Sequence, residues 1–357
     1  MNKHWQNLLH KATQLTRSGR LADATEAIQR LLHGQRPASP GQTTPPSAPV
    51  AKASATEHTK GNFISGTHGH HQLTRNYKLY IPPGHADQAL PLVVMLHGCK
   101  QNPDDFAAGT GMNQHALTQG FFVLYPEQSK DANPSACWNW FKANHQRRGS
   151  GEPVLIADLT QTITQQHGID AQRVYVAGLS AGGAMAAVLA AAYPDVFAAV
   201  GVHSGLPAGA ANNVAQALMV MKTGRASFSL SDLGLGRDTS ADTAAHAAIT
   251  LPTIVFHGDA DTTVHPHNGE QVVAAVRGAA PSQPRVEHGV SAQGQPYTRS
   301  IWPAEAGHAP AEYWLLHGAG HAWSGGRSAG SYTDPQGVDA SAEMLRFFFS
   351  QRQKTSF

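Results

Sequence analysis

Two cysteines, Cys99 and Cys137, are all that this chain holds. That excludes a cysteine-rich zinc module and a small disulfide scaffold, although the pair could still form one bridge. Charge is scarce, at 14% of residues against about 25% in a typical soluble domain. The 26 basic and 24 acidic side chains nearly cancel, so no nucleic-acid-binding surface is expected. No apolar run approaches the roughly 18 residues of a membrane span, so a transmembrane segment is not expected. The opening residues, Met1 to Asn7, also lack the apolar core of a secretory signal. A missing leader favours the cytoplasm, whereas sparse charge and a Cys99–Cys137 bridge would favour export. The compartment stays open between the two.

What is present is length and punctuation: 357 residues with 35 glycines and 22 prolines. Residues 1–33 carry helical spacing in two stretches broken at Ser18-Gly19-Arg20, which predicts a helical hairpin. It reads as a docking or self-association element, with a surface binder and a disordered tail as the other readings. Residues 34–60, rich in Pro, Ser and Thr, read as a linker. From 61 to 357 short β-rich runs alternate with Ala-rich stretches. Strands are expected near 77–81, 92–96, 121–125, 174–177, 198–202, 253–256 and 312–316. Several are almost wholly apolar, as strands covered on both faces should be. Helices are expected at 181–193 and 340–350. This alternation predicts an α/β domain with a mostly parallel sheet flanked by helices. A polar insertion at 225–245 and a β-hairpin at 285–302 interrupt the rhythm.

The chemistry centres on Gly178-Leu179-Ser180-Ala181-Gly182. Gly-x-Ser-x-Gly between a β-branched run and a helix is the nucleophile elbow. It holds a serine in a strained turn at a strand end, and the following N–H, from Ala181, faces the position of an oxyanion. A second match, Gly326-Arg327-Ser328-Ala329-Gly330, follows a Gly-rich loop with no helix behind it. Ser328 therefore reads as a turn serine.

A serine hydroxyl needs a base, and the base needs a third group to orient it. In elbow enzymes the chain order is nucleophile, acid, histidine. With 21 histidines present, position has to decide. His321, in Gly318-Ala319-Gly320-His321 beyond the 312–316 strand, is the favoured base and His317 its competitor. The acid should follow the 253–256 strand, where His257-Gly258-Asp259-Ala260-Asp261 offers two aspartates. Asp261 is favoured, because Asp259 is better placed for a turn bond to its own backbone. The second oxyanion donor should lie after an earlier strand, and the Cys99 N–H in His97-Gly98-Cys99-Lys100-Gln101 fits that place.

These segments, together with Cys137-Trp138-Asn139-Trp140-Phe141, His317-Gly318-Ala319-Gly320-His321-Ala322-Trp323-Ser324-Gly325-Gly326 and Tyr332-Thr333-Asp334-Pro335, resemble the polyhydroxybutyrate (PHB) depolymerase family of esterases over about residues 65–350. That group is related to feruloyl and acetylxylan esterases. The resemblance implies an α/β-hydrolase fold, a serine esterase needing no cofactor or metal, and a triad of Ser180, Asp261 and His321. It also implies a Cys99–Cys137 bridge that draws the Trp138/Trp140 segment towards the oxyanion loop. The substrate so implied is a 3-hydroxyalkanoate polymer or oligomer, with feruloyl or acetyl sugars as the alternative. A further alternative is an inactive protein that binds a polymer granule or partner through residues 1–33. The absence of a leader and of a C-terminal polymer-binding domain argues against insoluble polyester.

Trp138 and Trp140 alternate, so they could present one apolar wall to substrate, or all of 138–141 could be core. His257, His265, His267 and the His70/His71 pair lack the tight ligand set of a metal site. They read as solvated or turn histidines.

Overall fold

The computed structural model describes residues 60–225, 247–278, 283–305 and 307–353. The hairpin expected at 1–33, nearly all of the 34–60 linker and nearly all of the 225–245 insertion lie outside them. Among the described residues ten strands form one sheet in the order β1-β2-β4-β3-β5-β6-β7-β10-β9-β8. Its centre is parallel: β3 (Leu92–Leu96), β4 (Phe122–Pro126), β5 (Val174–Leu179), β6 (Ala199–His203), β7 (Thr253–Gly258) and β10 (Ala311–Leu316). Every residue of β3, β5 and β6 is buried, which is why these strands read as unbroken apolar runs. Each fully buried Val or Leu contributes about 1.5–3 kcal/mol of transfer free energy.

Antiparallel hairpins close both edges. β1 (Asn62–His70) pairs with β2 (Leu73–Ile81), and β2 joins β4. The expected hairpin at 285–302 is β8 (Arg285–Val290) with β9 (Pro296–Trp302), docked on β10. β1 escapes the sequence reading because its exposure alternates and its residues are mostly polar, as suits an edge.

Helices cover both faces: α1 (Pro103–Thr110), α2 (Met112–Gln119), α3 (Gly151–Gln166), α4 (Ala181–Ala192), α5 (Val214–Thr223), α6 (His267–Arg277) and α7 (Ala340–Phe349). α4 is apolar all round, and ten of its residues are buried, so it lies inside the molecule rather than on it. Two short strands, β11 (Trp323–Ser324) and β12 (Thr333–Asp334), tie the loops after β10 together. After β3 the chain steps outward to β4, then returns to the other side of β3 as β5. That reversal leaves a crevice between the loops following β3 and β5, where open α/β sheets place their sites.

Candidate active site

Ser180 stands at the top of β5 with φ 59° and ψ −120°, a conformation that non-glycine residues adopt at a cost. The glycines on either side of it have steric reasons to be glycine. A Cβ on Gly182 would lie 2.0 Å from the Leu96 carbonyl oxygen, and one on Gly178 would lie 2.4 Å from the Gly182 carbonyl. The strand, the turn and α4 therefore approach more closely than any side chain permits. The Ser180 N–H donates to the His203 carbonyl at 2.9 Å. The Ala181 N–H opens α4, where the helix dipole favours negative charge. Ser328, by contrast, is exposed on a turn.

The loop after β3 packs against this serine: a Cβ on Gly98 would sit 3.6 Å from the Ser180 Cβ. Its amides are committed one by one. The Gly98 N–H donates to Gln101 Oε1 at 2.9 Å and the Lys100 N–H to the Ser135 carbonyl at 2.8 Å. Between them, the Cys99 N–H has no hydrogen-bond partner among the described residues. Gln101 is itself held by Asp105 Oδ2 and the Ser331 carbonyl. Cys99 is disulfide-bonded to Cys137. The His97 ring spans loop and core, with Nδ1 donating to the Gly98 carbonyl and Nε2 accepting from the Gln128 N–H. Burial pushes this histidine down to about 4, so it stays neutral at physiological pH.

On the other flank, Asp261 follows β7 and His321 follows β10. Asp261 Oδ2 lies 2.7 Å from His321 Nδ1. Its other oxygen accepts from the Thr263 and Val264 N–H groups at 2.8 and 2.9 Å. Burial alone would raise this carboxyl, but the nearby His257 ring and the hydrogen bonds from His321 and the Val264 amide outweigh it and hold it well below the usual carboxylate range. The ionised acid fixes the His321 proton on Nδ1, leaving Nε2 as the basic nitrogen. Among the described residues no hydrogen bond closes between that ring and the Ser180 hydroxyl; such bonds often tighten only when substrate is bound.

The turn bond expected of Asp259 is made by Asp261 instead. Asp259 turns outward, accepting from the Gly318 N–H at 2.7 Å and pairing with His317 Nδ1 at 2.8 Å. His317 Nε2 meets Thr298 Oγ1 at 2.8 Å, so both of its nitrogens are engaged and neither is free to act as a base.

Burial decides two further readings, and one residue escaped the sequence reading altogether. Trp138 and Trp140 are 0% and 3% exposed, so no aromatic wall is offered to substrate: both rings turn into the core. Of the two readings offered for His257, the turn histidine holds, and the ring is fully buried. Its Nε2 donates to the Val264 carbonyl at 2.8 Å and lies 3.5 Å from Asp261 Oδ2, bracing the acid's turn. His203 drew no attention in the sequence, yet it joins the two flanks. Its carbonyl takes the Ser180 N–H, and its Nε2 accepts the Ser324 N–H at 3.0 Å, three residues beyond His321. The ring is stacked against Phe256 and Trp323. Burial, with His257 and His321 nearby, pushes it down to about 3, so Nε2 stays an acceptor. The only sequence signal for it was a histidine ending an otherwise apolar strand beside the elbow strand. Among the described residues no group of three or more His, Cys, Asp or Glu could hold a metal ion.

Residues 75–278 match the family model described as Esterase PHB depolymerase. The chain is 36% identical over 197 residues to the poly(3-hydroxyalkanoate) depolymerase C of Paucimonas lemoignei, a match covering 54% of this chain and 46% of that one. It is 30% identical over 206 residues to acetylxylan esterase A of Aspergillus oryzae, covering 55% and 64% respectively. The matches thus span about half to just under two thirds of these relatives' lengths. Among solved structures, an acetyl xylan esterase from Aspergillus awamori aligns with a TM-score of 0.57 at 22% identity, covering 77% of this chain and 94% of that one. This is a likeness of fold.

Proposed function

The chain belongs to the PHB depolymerase family of esterases, and from that membership we propose that it is a serine-dependent carboxylic ester hydrolase working through an acyl-enzyme. His321 Nε2 takes the proton of the Ser180 hydroxyl as Oγ attacks the ester carbonyl. The negative charge that develops on the carbonyl oxygen is met by the Cys99 and Ala181 N–H groups. The tetrahedral intermediate collapses, and the alcohol leaves with the proton from His321. Water, deprotonated by the same ring, then attacks the acyl-enzyme and releases the acid, returning the proton to Ser180. Asp261 stays ionised throughout, holding the tautomer and stabilising the imidazolium. The observation that carries this reading is the 2.7 Å Asp261–His321 contact at the rim where the Ser180 elbow stands.

The substrates proposed first are 3-hydroxyalkanoate oligomers, supported by the 36% identity to a depolymerase. The second reading, an acetylxylan- or feruloyl-type esterase, is favoured by the longer share of its relative that the chain covers. A panel of hydroxybutyrate oligomers, polyester emulsion, acetylated xylan and feruloyl sugars decides between them, with Ser180→Ala as the blank. Dominant turnover of the sugars would overturn the first reading, and equal activity in the Ser180→Ala blank would overturn both.

A further inference from the structure

A cavity of about 530 Å³ opens at the same rim, above the β2, β4 and β3 side of the sheet. Its walls come from residues 74–76, 100–102, 127–130 and 134–136. They therefore begin directly after the oxyanion loop. Because Gly98 packs on Ser180, and Lys100 is two residues further on, the cavity starts within about 8 Å of the elbow's neighbour.

Three cations line it, Arg75, Lys100 and Lys130, against one carboxylate, Glu127. Arg75 is already neutralised by the buried Glu152, at 3.2 Å. Among the described residues neither Lys100 nor Lys130 has a carboxylate partner. Lys100 is held in the left-handed region at φ 66°, and Ala136 on the facing wall at φ 50°, conformations unusual for residues with a side chain. These two residues adjoin Cys99 and Cys137, and the Lys100 N–H is tied to the Ser135 carbonyl. The wall that presents Lys100 is thus braced by a covalent bridge and a backbone hydrogen bond. Polar groups of Asn76, Ser129 and Ser135 are also in the lining.

We propose that this cavity is a subsite for the free carboxylate end of a short hydroxyacid oligomer, held by Lys100 and Lys130 while an ester bond further along lies over Ser180. The proposal rests on the esterase reading given above. With Glu127 offsetting one of the two lysines, the lining suits a singly charged anion better than a phosphate. A hydroxyacid oligomer carries that charge at its acid end alone, and its methyl ester carries none.

The test compares 3-hydroxybutyrate trimer acid with its methyl ester, using the full chain. The expected result is a KM lower for the acid by about fivefold, the scale of two partly screened ion pairs, with the preference lost in Lys100→Gln/Lys130→Gln and kept in Lys100→Arg/Lys130→Arg. Calorimetric binding of both compounds to Ser180→Ala should show the same preference without turnover. Equal binding of acid and ester to that protein, or a preference that survives the glutamine double variant, would overturn the proposal. Failure of the unaltered chain to hydrolyse p-nitrophenyl acetate would instead end the esterase reading, and the binding arm would still decide the cavity.

Discussion

Ser180 and His203 are coupled through the backbone. The serine N–H donates to the histidine carbonyl at 2.9 Å, while the ring of that histidine receives the Ser324 N–H at 3.0 Å. One buried residue therefore sets the height of the nucleophile's turn and the position of the loop carrying His321. Replacing its side chain keeps the carbonyl bonded to Ser180 but removes the acceptor of the Ser324 N–H, and so should misplace the His321 loop without touching substrate. His203→Ala is expected to lower kcat by roughly 10²-fold, the scale of a 1 Å displacement, with KM changed far less. His203→Gln, which can offer an acceptor to Ser324, should recover part of the loss. A matching fall in kcat for both variants would show that the Ser324 contact does not position the site.

Asp261→Asn keeps a group able to accept from the Thr263 and Val264 amides but favours the wrong tautomer of His321. Steady-state kinetics on a soluble ester should show kcat down about 10⁴-fold. Asp259→Asn, which alters only the outward pair with His317, should stay within a few-fold of the unaltered chain. If the two effects are reversed, the acid has been misassigned.

The Cys99–Cys137 bridge closes a separation of 38 residues. On a chain-entropy argument that is worth about 4 kcal/mol. Reduction, or Cys137→Ser, should lower the thermal midpoint. Because Cys99 follows Gly98 in the loop packed on Ser180, kcat should fall as well, at temperatures well below melting. Full activity after reduction would show that the remaining contacts of that loop suffice.

Acid should destabilise the protein in two stages. His97 and His203 are pushed by burial down to about 4 and about 3. The unfolded chain binds their protons from near pH 6.5 downward, and stability falls as pH drops from there. Glu152 is held at about 2: burial, which would raise it, is overcome by His145, Gln128 and the Asn139 amide. Its contribution, about 3 kcal/mol, is present above its unfolded value near 4.5 and is lost as pH falls towards 2. Urea midpoints measured against pH should therefore lose their steepest acid limb in Glu152→Gln, with the limb near pH 6 retained. An unchanged acid limb would contradict the assignment.

Much of this arrangement is legible in the sequence, for reasons that differ by element. The parallel strands are readable because burial on both faces leaves runs such as Leu92–Leu96 wholly apolar. Ser180 stands out because two glycines are forced by contacts of 2.0 and 2.4 Å. Asp261 and His321 could be singled out by chain order, although the reason given for passing over Asp259 fails, since Asp261 makes the turn bonds. The rest depends on contacts between distant segments. Whether Trp138 faces core or cleft is decided by a loop pinned to Glu152 through the Asn139 amide and side chain. The parts played by His203 and His257 exist only once β6, β7 and the loop after β10 are adjacent.

Because the central strands are parallel, the turns carrying Ser180, Asp261 and His321 follow strand ends at one rim of the sheet, and the turn leading into β5 lies at the opposite rim. Ala171, exposed in the turn that leads into β5, lies on that far side. A tether attached there would hold the protein to a bead or film with its reactive face turned towards the surrounding liquid.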